Sequence, residues 1–545
     1  MTAVQTQKSP WLFGAVPDLL FGCGGLYAGI ALLFAIDGGV LLRAVPPLVP
    51  GLLIAFLSAP HYGATLLRVY ERRADRRAYF LFSVVVTCGL IALFGLALFD
   101  AFVGSILVTV YLTWSGWHYS GQNYGIASMF LRRRGLAPSA GVRRLLYASF
   151  GFSFLVVFLV LHEAVSVGGG ASEGFVALGI PASWNAWLVP GSLALYALTT
   201  GASLGLLARA AGGVATLGPT AALMGTQALW LMLPYAAYHF GWFQRVAPLG
   251  FDTRAAVFTW IAAAHAVQYL WITSFYERAS GRWRGQGAYY ARALGAGTAL
   301  WVLPAVVFAP GIASYDLGFT LLLSSTINLH HFVLDGAIWK LRHLKIARVL
   351  IADGGGEEGT SWVPRRFARV FWAFAGLALV LKLHNLSERY VVFPQALRAR
   401  DLPAAAASLD RQGWLGKATA FQHQVVAERM DDAGQLEGAI GQYERSAELT
   451  AQVENLAPLA MAYGRAADAA GFMRSCDRLF ALGEVERPLP TPPIAHAWAA
   501  LPADFRAACV RTAHREYAKA KRPAPSRNDP AMGRDGEPLP IGSYD

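Results

Sequence analysis

The stretch SSTINLHHFVLDGAIWK, Ser324 to Lys340, closes an apolar run that reads as a membrane span, yet it holds two adjacent histidines, His330 and His331, and an aspartate, Asp335. An ionisable side chain at the middle of a membrane helix costs about 2.5–3.5 kcal/mol even on insertion scales. Residues kept at that cost point to chemistry rather than packing. His331 and Asp335 are four apart and share a helix face, whereas His330 projects about 100° away around the helix.

The rest of the chain supplies the context. Of its 545 residues 55% are hydrophobic and 15% charged, where soluble domains carry about 25% charged residues. The expected fold is all-α: a polytopic membrane bundle followed by a helical-repeat domain. Windows of about 19–25 apolar residues mark eleven spans, at 11–35, 45–66, 78–99, 101–129, 144–165, 187–208, 216–243, 252–276, 288–309, 315–340 and 366–385. Pro46, Pro47 and Pro50 break the start of the second. The first is too long for a cleavable signal and reads as a signal anchor.

Basic residues follow the even-numbered spans, as in Arg68, Arg72, Arg73, Arg76 and Arg77 after the second, Arg132 to Arg134 after the fourth, and Arg278, Arg282 and Arg284 after the eighth. Positive residues favour the cytoplasm. The N-terminus is therefore expected inside, in a cell inner membrane, and eleven spans place the C-terminal domain in the periplasm. The net charge of +12 is explained by these loops and calls for no nucleic acid. The four cysteines, Cys23, Cys88, Cys476 and Cys509, have no metal-binding spacing.

That topology aligns the histidines. Spans two, four, eight and ten run in one direction, and at 1.5 Å per residue His118 lies about 25 Å, His265 about 20 Å and His330 about 22 Å from the outer end of its span. His61 falls in the inner half of span two. We therefore expect His61, His118, His265, His330, His331 and Asp335 to hold metal, with Asp335 also a proton acceptor. Gln122, Gln268, Asn328 and His239 are further ligands or hydrogen-bonding supports, since a ligating imidazole commonly gives its second N–H to an oxygen. His239 has the wrong depth for the set, and His162, beside Glu163, reads as structural. Imidazoles with a carboxylate suit iron, manganese, copper or zinc. Aromatics crowd the motifs, and Trp117, Tyr119 and Tyr269 are the expected substrate-binding residues. Arg342 and Lys345 are placed to meet a lipid phosphate. The bland alternatives are a hydrogen-bonded polar network and interfacial aromatic packing.

HHFVLD (His330, His331, Asp335), WHYSGQ (His118, Gln122) and HAVQ (His265, Gln268) resemble the histidine boxes of membrane non-haem di-iron enzymes, the fatty-acid desaturases and the alkane and sterol hydroxylases. The chain lacks their HxxxH and HxxHH spacings. APHYG (His61) and YHFG (His239) are similar to surroundings in the bacterial carotene-cleaving oxygenases of the Brp/Blh type. The resemblance implies an oxygenase, hydroxylase or desaturase with two iron ions and a lipid-soluble substrate. No flavin or nicotinamide motif is present, so an external electron donor is expected. A proton-coupled transporter or a haem protein would use the same histidines.

From Leu386 alanine and charge replace continuous apolar runs, giving an expected division into 1–385, 386–484 and 485–545, the last a Pro-rich segment with a short helix and a polar tail. AERMDDAGQLEGAIGQYERSAEL resembles a tetratricopeptide repeat, and AMAYGRAADAAGFMRSCDRLFAL follows 33 residues later, setting Tyr463 on Met430, Cys476 on Tyr443 and Phe480 on Ala447. Such a domain implies a protein partner.

Overall fold

The structure, a computed structural model, describes residues 11–36, 45–46, 48–71, 77–164, 175–232, 253–279, 283–309, 319–339, 344–351, 365–451 and 453–485. His239, Arg342 and Cys509, with the side chain of Lys345, lie outside them. Among the described residues all regular structure is helical, with one isolated bridge between Glu163 and Ile180. The chain divides into two compact units, Met1–Pro304 with Leu321–Leu386, and Ala305–Thr320 with Ser387–Asp545.

Among the described residues five helices are long and apolar enough to cross a membrane: Leu48–Tyr70, Ala140–Leu161, Ala182–Ala211, Gln286–Phe308 and Arg366–Ala399. We label Gly25–Ile36 α1, Leu48–Tyr70 α2, Thr87–Ala97 α3, Ala101–Arg133 α4, Ala140–Leu161 α5, Ala182–Ala211 α6, Val214–Gln227 α7, Thr253–Arg278 α8, Gln286–Phe308 α9, Phe319–Ile338 α10, Leu344–Leu350 α11 and Arg365–Ser387 α12. Helices α4, α8 and α10 are long, at 33, 26 and 20 residues, but are not among the five. They carry the histidines and amides, which lower their apolar character.

Local chemistry sets several boundaries. Asp100 caps α4 by accepting from the Val103 N–H at 3.1 Å, and Ser139 caps α5 through Val142, each satisfying an otherwise free N-terminal donor. Gly212 ends α6 in the left-handed region at φ 77°, where a side chain would be strained. The expected first span is divided. Asp18, fully buried, accepts from Leu12 N–H at 2.6 Å, Phe13 N–H at 3.1 Å and the Trp271 indole at 2.9 Å. That carboxylate ties residues 11–22 into a compact turn before α1 begins.

One crossing matters for the site. On α2, Ala59 and Gly63 are four apart, and Ala293 and Gly297 are four apart on α9. A Cβ on Gly63 would lie 1.8 Å from the Ala293 carbonyl oxygen, and one on Gly297 would lie 1.7 Å from that of Ala59. The two backbones therefore touch directly, as small residues at this spacing permit. A wide π turn, Ile54–Ser58, leads into this part of α2.

The second unit contains Phe393–Ala399 (α13), Leu402–Gly413 (α14), Ala420–Asp432 (α15), Leu436–Leu449 (α16), Val453–Arg465 (α17) and Ala469–Val485 (α18). Consecutive helices pack on one another through a shared core including Ala427, Met430, Ala439, Tyr443 and Tyr463. Met430, Tyr463, Tyr443 and Cys476, matched by the 33-residue offset, are all buried. Thr419 and Gln422 close a reciprocal cap at the start of α15.

Candidate metal centre

Four imidazoles and one carboxylate gather inside the first unit. His61 comes from α2, His118 from α4, His265 from α8, and His331 with Asp335 from α10. Ligand atoms of His61, His265 and His331 lie within 4.8 Å of one another, as do those of His118, His331 and Asp335. The Nε2 atoms of His61 and His331 are 3.1 Å apart, and those of His118 and His265 are 3.2 Å apart. Asp335 Oδ2 stands 3.3 Å from His331 Nε2 and 3.9 Å from His118 Nε2.

The hydrogen bonds fix which atoms remain available. His61 Nδ1 is 2.7 Å from the Ser58 carbonyl oxygen. A carbonyl only accepts, so Nδ1 carries the proton and Nε2 of the neutral ring is a bare lone pair. Around His331 the directions also interlock. Tyr269 donates its hydroxyl to Asp335 Oδ1 at 2.7 Å and receives the Trp339 indole N–H at 3.2 Å. With Asp335 ionised, Thr65, 2.7 Å from the Tyr269 hydroxyl, must donate to it. Thr65 then accepts from His331 Nδ1 at 2.9 Å. His331 Nε2 is left bare as well, facing the equally bare Nε2 of His61.

Two lone pairs directed at each other at 3.1 Å, beside a carboxylate oxygen, repel unless a proton or a metal cation lies among them. That donor set fits a transition-metal ion. Ligand bonds of about 2.0–2.1 Å bring neighbouring donors to about 3.0–3.4 Å from one another, a range that holds the His61–His331, His118–His265 and His331–Asp335 separations but not the 3.9 Å between His118 and Asp335. The five donors suffice for a single ion, whereas di-iron carboxylate sites draw on six residues. His118 and Asp335 form the accessible edge of the group, since His61, His265 and His331 are only 2–3% exposed.

That edge borders a cavity of about 290 Å³, lined by Trp114, Trp117, Phe332 and Trp339 among others, with Gly121 and Gly125 of α4 opposite Gly336 of α10. A Cβ at any of these three glycines would meet nothing within 4 Å. Gly121, Gly336 and Trp114 are exposed, so the cavity opens to the outside of the bundle between α4 and α10.

Several expected site residues lie elsewhere. His330 turns away from the group. Its Nε2 lies 3.1 Å from the Tyr70 hydroxyl, and the two rings stack, because adjacent helical residues diverge by about 100°. Gln122 and Gln268 contact each other rather than the imidazoles, with Gln122 Nε2 2.5 Å from Gln268 Oε1. Asn328 accepts from the Tyr62 hydroxyl at 2.6 Å, and Tyr62 packs against the rings of His61 and His331. Trp117 and Tyr269 line the cavity. Tyr119 does not, and packs instead on the His265 ring with Val156 and Trp230 among its neighbours. His162 is held by Thr113 and the Leu178 N–H.

Sequence reasoning missed the parts of Thr65 and Ser58. A hydroxyl one turn after His61, and a carbonyl three residues before it, were the available signals. Comparison of the chain with protein-family models, with curated proteins and with solved structures finds no match.

Proposed function

We propose that this protein is an integral membrane, metal-dependent oxygenase, hydroxylase or desaturase acting on a lipid-soluble substrate. The observation that carries the reading is the convergence of His61, His118, His265, His331 and Asp335, of which His118 and Asp335 line a largely apolar cavity. Iron is the favoured metal, and the donor count favours one ion over two. Bound there, iron supplies the one-electron chemistry that lets dioxygen react with an apolar molecule.

The chain's own groups have separate tasks. Ser58 and Thr65 orient the imidazoles of His61 and His331. Tyr269, itself held by Thr65, holds Oδ1 of Asp335, turning Oδ2 toward the histidines, and Asp335 is the nearest group able to accept a proton. Trp114, Trp117 and Phe332 exclude water and hold the substrate. In this reading the chain has eleven spans in a cell inner membrane, a cytoplasmic N-terminus and a periplasmic tetratricopeptide-like domain that binds a protein partner. Reducing equivalents come from an external donor. The 3.1 Å between the Nε2 atoms of His61 and His331 is too short for these two rings to hold a haem between them.

The deciding experiment is metal analysis and an absorption spectrum of the detergent-purified protein. The proposal expects one iron per chain without a Soret band, and loss of that iron in His331→Ala at unchanged expression. A Soret band would instead establish haem, and absence of metal from freshly isolated protein would leave a proton path. Iron retained in full by His331→Ala would remove this residue from the ligand set.

A further inference from the structure

The polarity of one buried amide chain carries a second conclusion. Gln268 Nε2 donates to the Gly22 carbonyl at 2.8 Å. That carbonyl can only accept, so the amide of Gln268 has one allowed orientation. The same Nε2 donates to Asn123 Oδ1 at 3.0 Å, and Asn123 Nδ2 donates to Gln227 Oε1 at 2.8 Å. Gln227 Nε2 in turn meets the hydroxyls of Ser120 and Ser153, and Ser153 donates onward to the Phe150 carbonyl. Every member of the chain runs in one direction.

Gln268 Oε1 must therefore accept, and the atom of Gln122 facing it at 2.5 Å is the amide nitrogen. Gln122 is thus held with its Oε1 turned away from the network. This oxygen has no partner among the described residues, and it is not among the buried atoms that lack one. Its side chain lines the cavity. Gln122 Oε1 is consequently a carbonyl acceptor in that wall, beside His118 and Asp335, whose direction the buried amides of Gln268, Asn123 and Gln227 impose.

We propose that the cavity takes a long-chain alcohol, its hydroxyl donating to Gln122 Oε1 and its chain lying in the slot between Gly121, Gly125 and Gly336. Gln122 is four residues after His118, about 6 Å along α4. The alcohol group is so anchored one helical turn from the candidate metal, and a carbon several bonds away is presented to it. An alkane of equal length would leave the oxygen unpaired. This inference deepens the proposed oxygenase reading by naming its substrate class, and it rests on the cavity being the substrate site of that reading.

The test is a binding measurement that needs neither metal nor turnover. Brominated alcohol and brominated alkane of matched length are titrated into metal-stripped protein in micelles, with quenching of tryptophan fluorescence as readout; Trp114, Trp117 and Trp339 line the cavity. One hydrogen bond corresponds to a preference of about fivefold for the alcohol. Gln122→Leu should bind both molecules alike, and Gly125→Phe should abolish quenching by either. Equal affinities in the wild type overturn the proposal without recourse to any variant. Preference surviving in Gln122→Leu, or quenching surviving in Gly125→Phe, also overturns it. Metal content is measured separately, so an alcohol-selective protein without iron would sink the oxygenase reading alone.

Discussion

Replacing Gly63 with alanine tests whether a helix crossing sets the geometry of the metal centre. The added methyl would lie 1.8 Å from the Ala293 carbonyl oxygen and 2.7 Å from the Gly297 nitrogen. Since real Cβ contacts essentially never fall under 3.0 Å, α2 and α9 must part by about 1.2 Å. Both obstacles are backbone, which cannot swing aside as a flexible side chain would. His61 sits two residues earlier on the same helix, with its Nε2 3.1 Å from that of His331. Transmitted in full, the displacement moves His61 by about 1.2 Å, against a coordination tolerance of about 0.2 Å. Overpacking of this kind costs about 1–3 kcal/mol in stability. The metal should suffer more, with an affinity loss of about 10–100-fold, the range seen when the supports of a metal site are removed. The assay is competitive iron titration of Gly63→Ala beside Gly89→Ala, where a Cβ meets only open space. Gly89→Ala should bind iron as the parent does. Parental iron affinity in Gly63→Ala would refute the claim that this crossing positions His61.

Other perturbations separate the roles of individual residues. His330→Ala should keep its metal and lose about 1 kcal/mol of stability, the value of the bond to Tyr70; equal metal loss from His330→Ala and His331→Ala would contradict the helix-face assignment. Tyr269→Phe removes the donor to Asp335 Oδ1 and should weaken iron binding by about 10–100-fold in a chelator competition. In the second unit burial holds the His423 imidazole below its ordinary range, opposed by its bond to Gln442. The unfolded chain then takes up a proton first, so stability is full above about pH 6.5 and declines below it. Protection factors of the Ala420–Asp432 amides, referred to the intrinsic exchange rate at each pH, should fall between pH 7 and 5 in the parent chain and change less in His423→Gln.

The helical class was legible from apolar content and from the long hydrophobic windows, but the spans were not equally so. Five helices meet the length and composition of a membrane crossing, while α4, α8 and α10 carry the polar residues that dilute that signal. Depth was the readable quantity for the centre. Imidazoles expected at similar depths on spans expected to run in one direction, with a carboxylate four residues after one of them, led to His61, His118, His265, His331 and Asp335 without knowledge of which helices touch. Height says nothing about azimuth, so His330 was grouped with its neighbour although one residue of helix turns it toward Tyr70. Gln122 and Gln268 were read as partners of the histidines on their own helices, three or four residues away. They instead bond across the bundle to each other, a choice that depends on interhelical packing and leaves no trace in local spacing. The close approach at Gly63 and Gly297 was legible in part, through the small residues four apart on each helix, but pairing them required the fold.

The distribution of satisfied and unsatisfied polar atoms links these parts. A bundle that buries Ser120, Asn123, Ser153, Gln227 and Gln268 at 0–1% exposure must pair them, because an unpaired buried polar group costs about 1–3 kcal/mol. Here they pair in one continuous direction, ending at a single outward oxygen on Gln122. The ring of Thr65, Tyr269 and Trp339 likewise spends its donors in sequence and ends on one oxygen of Asp335. Both networks consume donors and leave acceptors, and the acceptors they leave face the cavity or the gap among the histidines. A purely structural polar core would have no reason to gather lone pairs at one place. That concentration of acceptors is what a cation held among the histidines and a hydroxyl donor in the cavity, as proposed, would use.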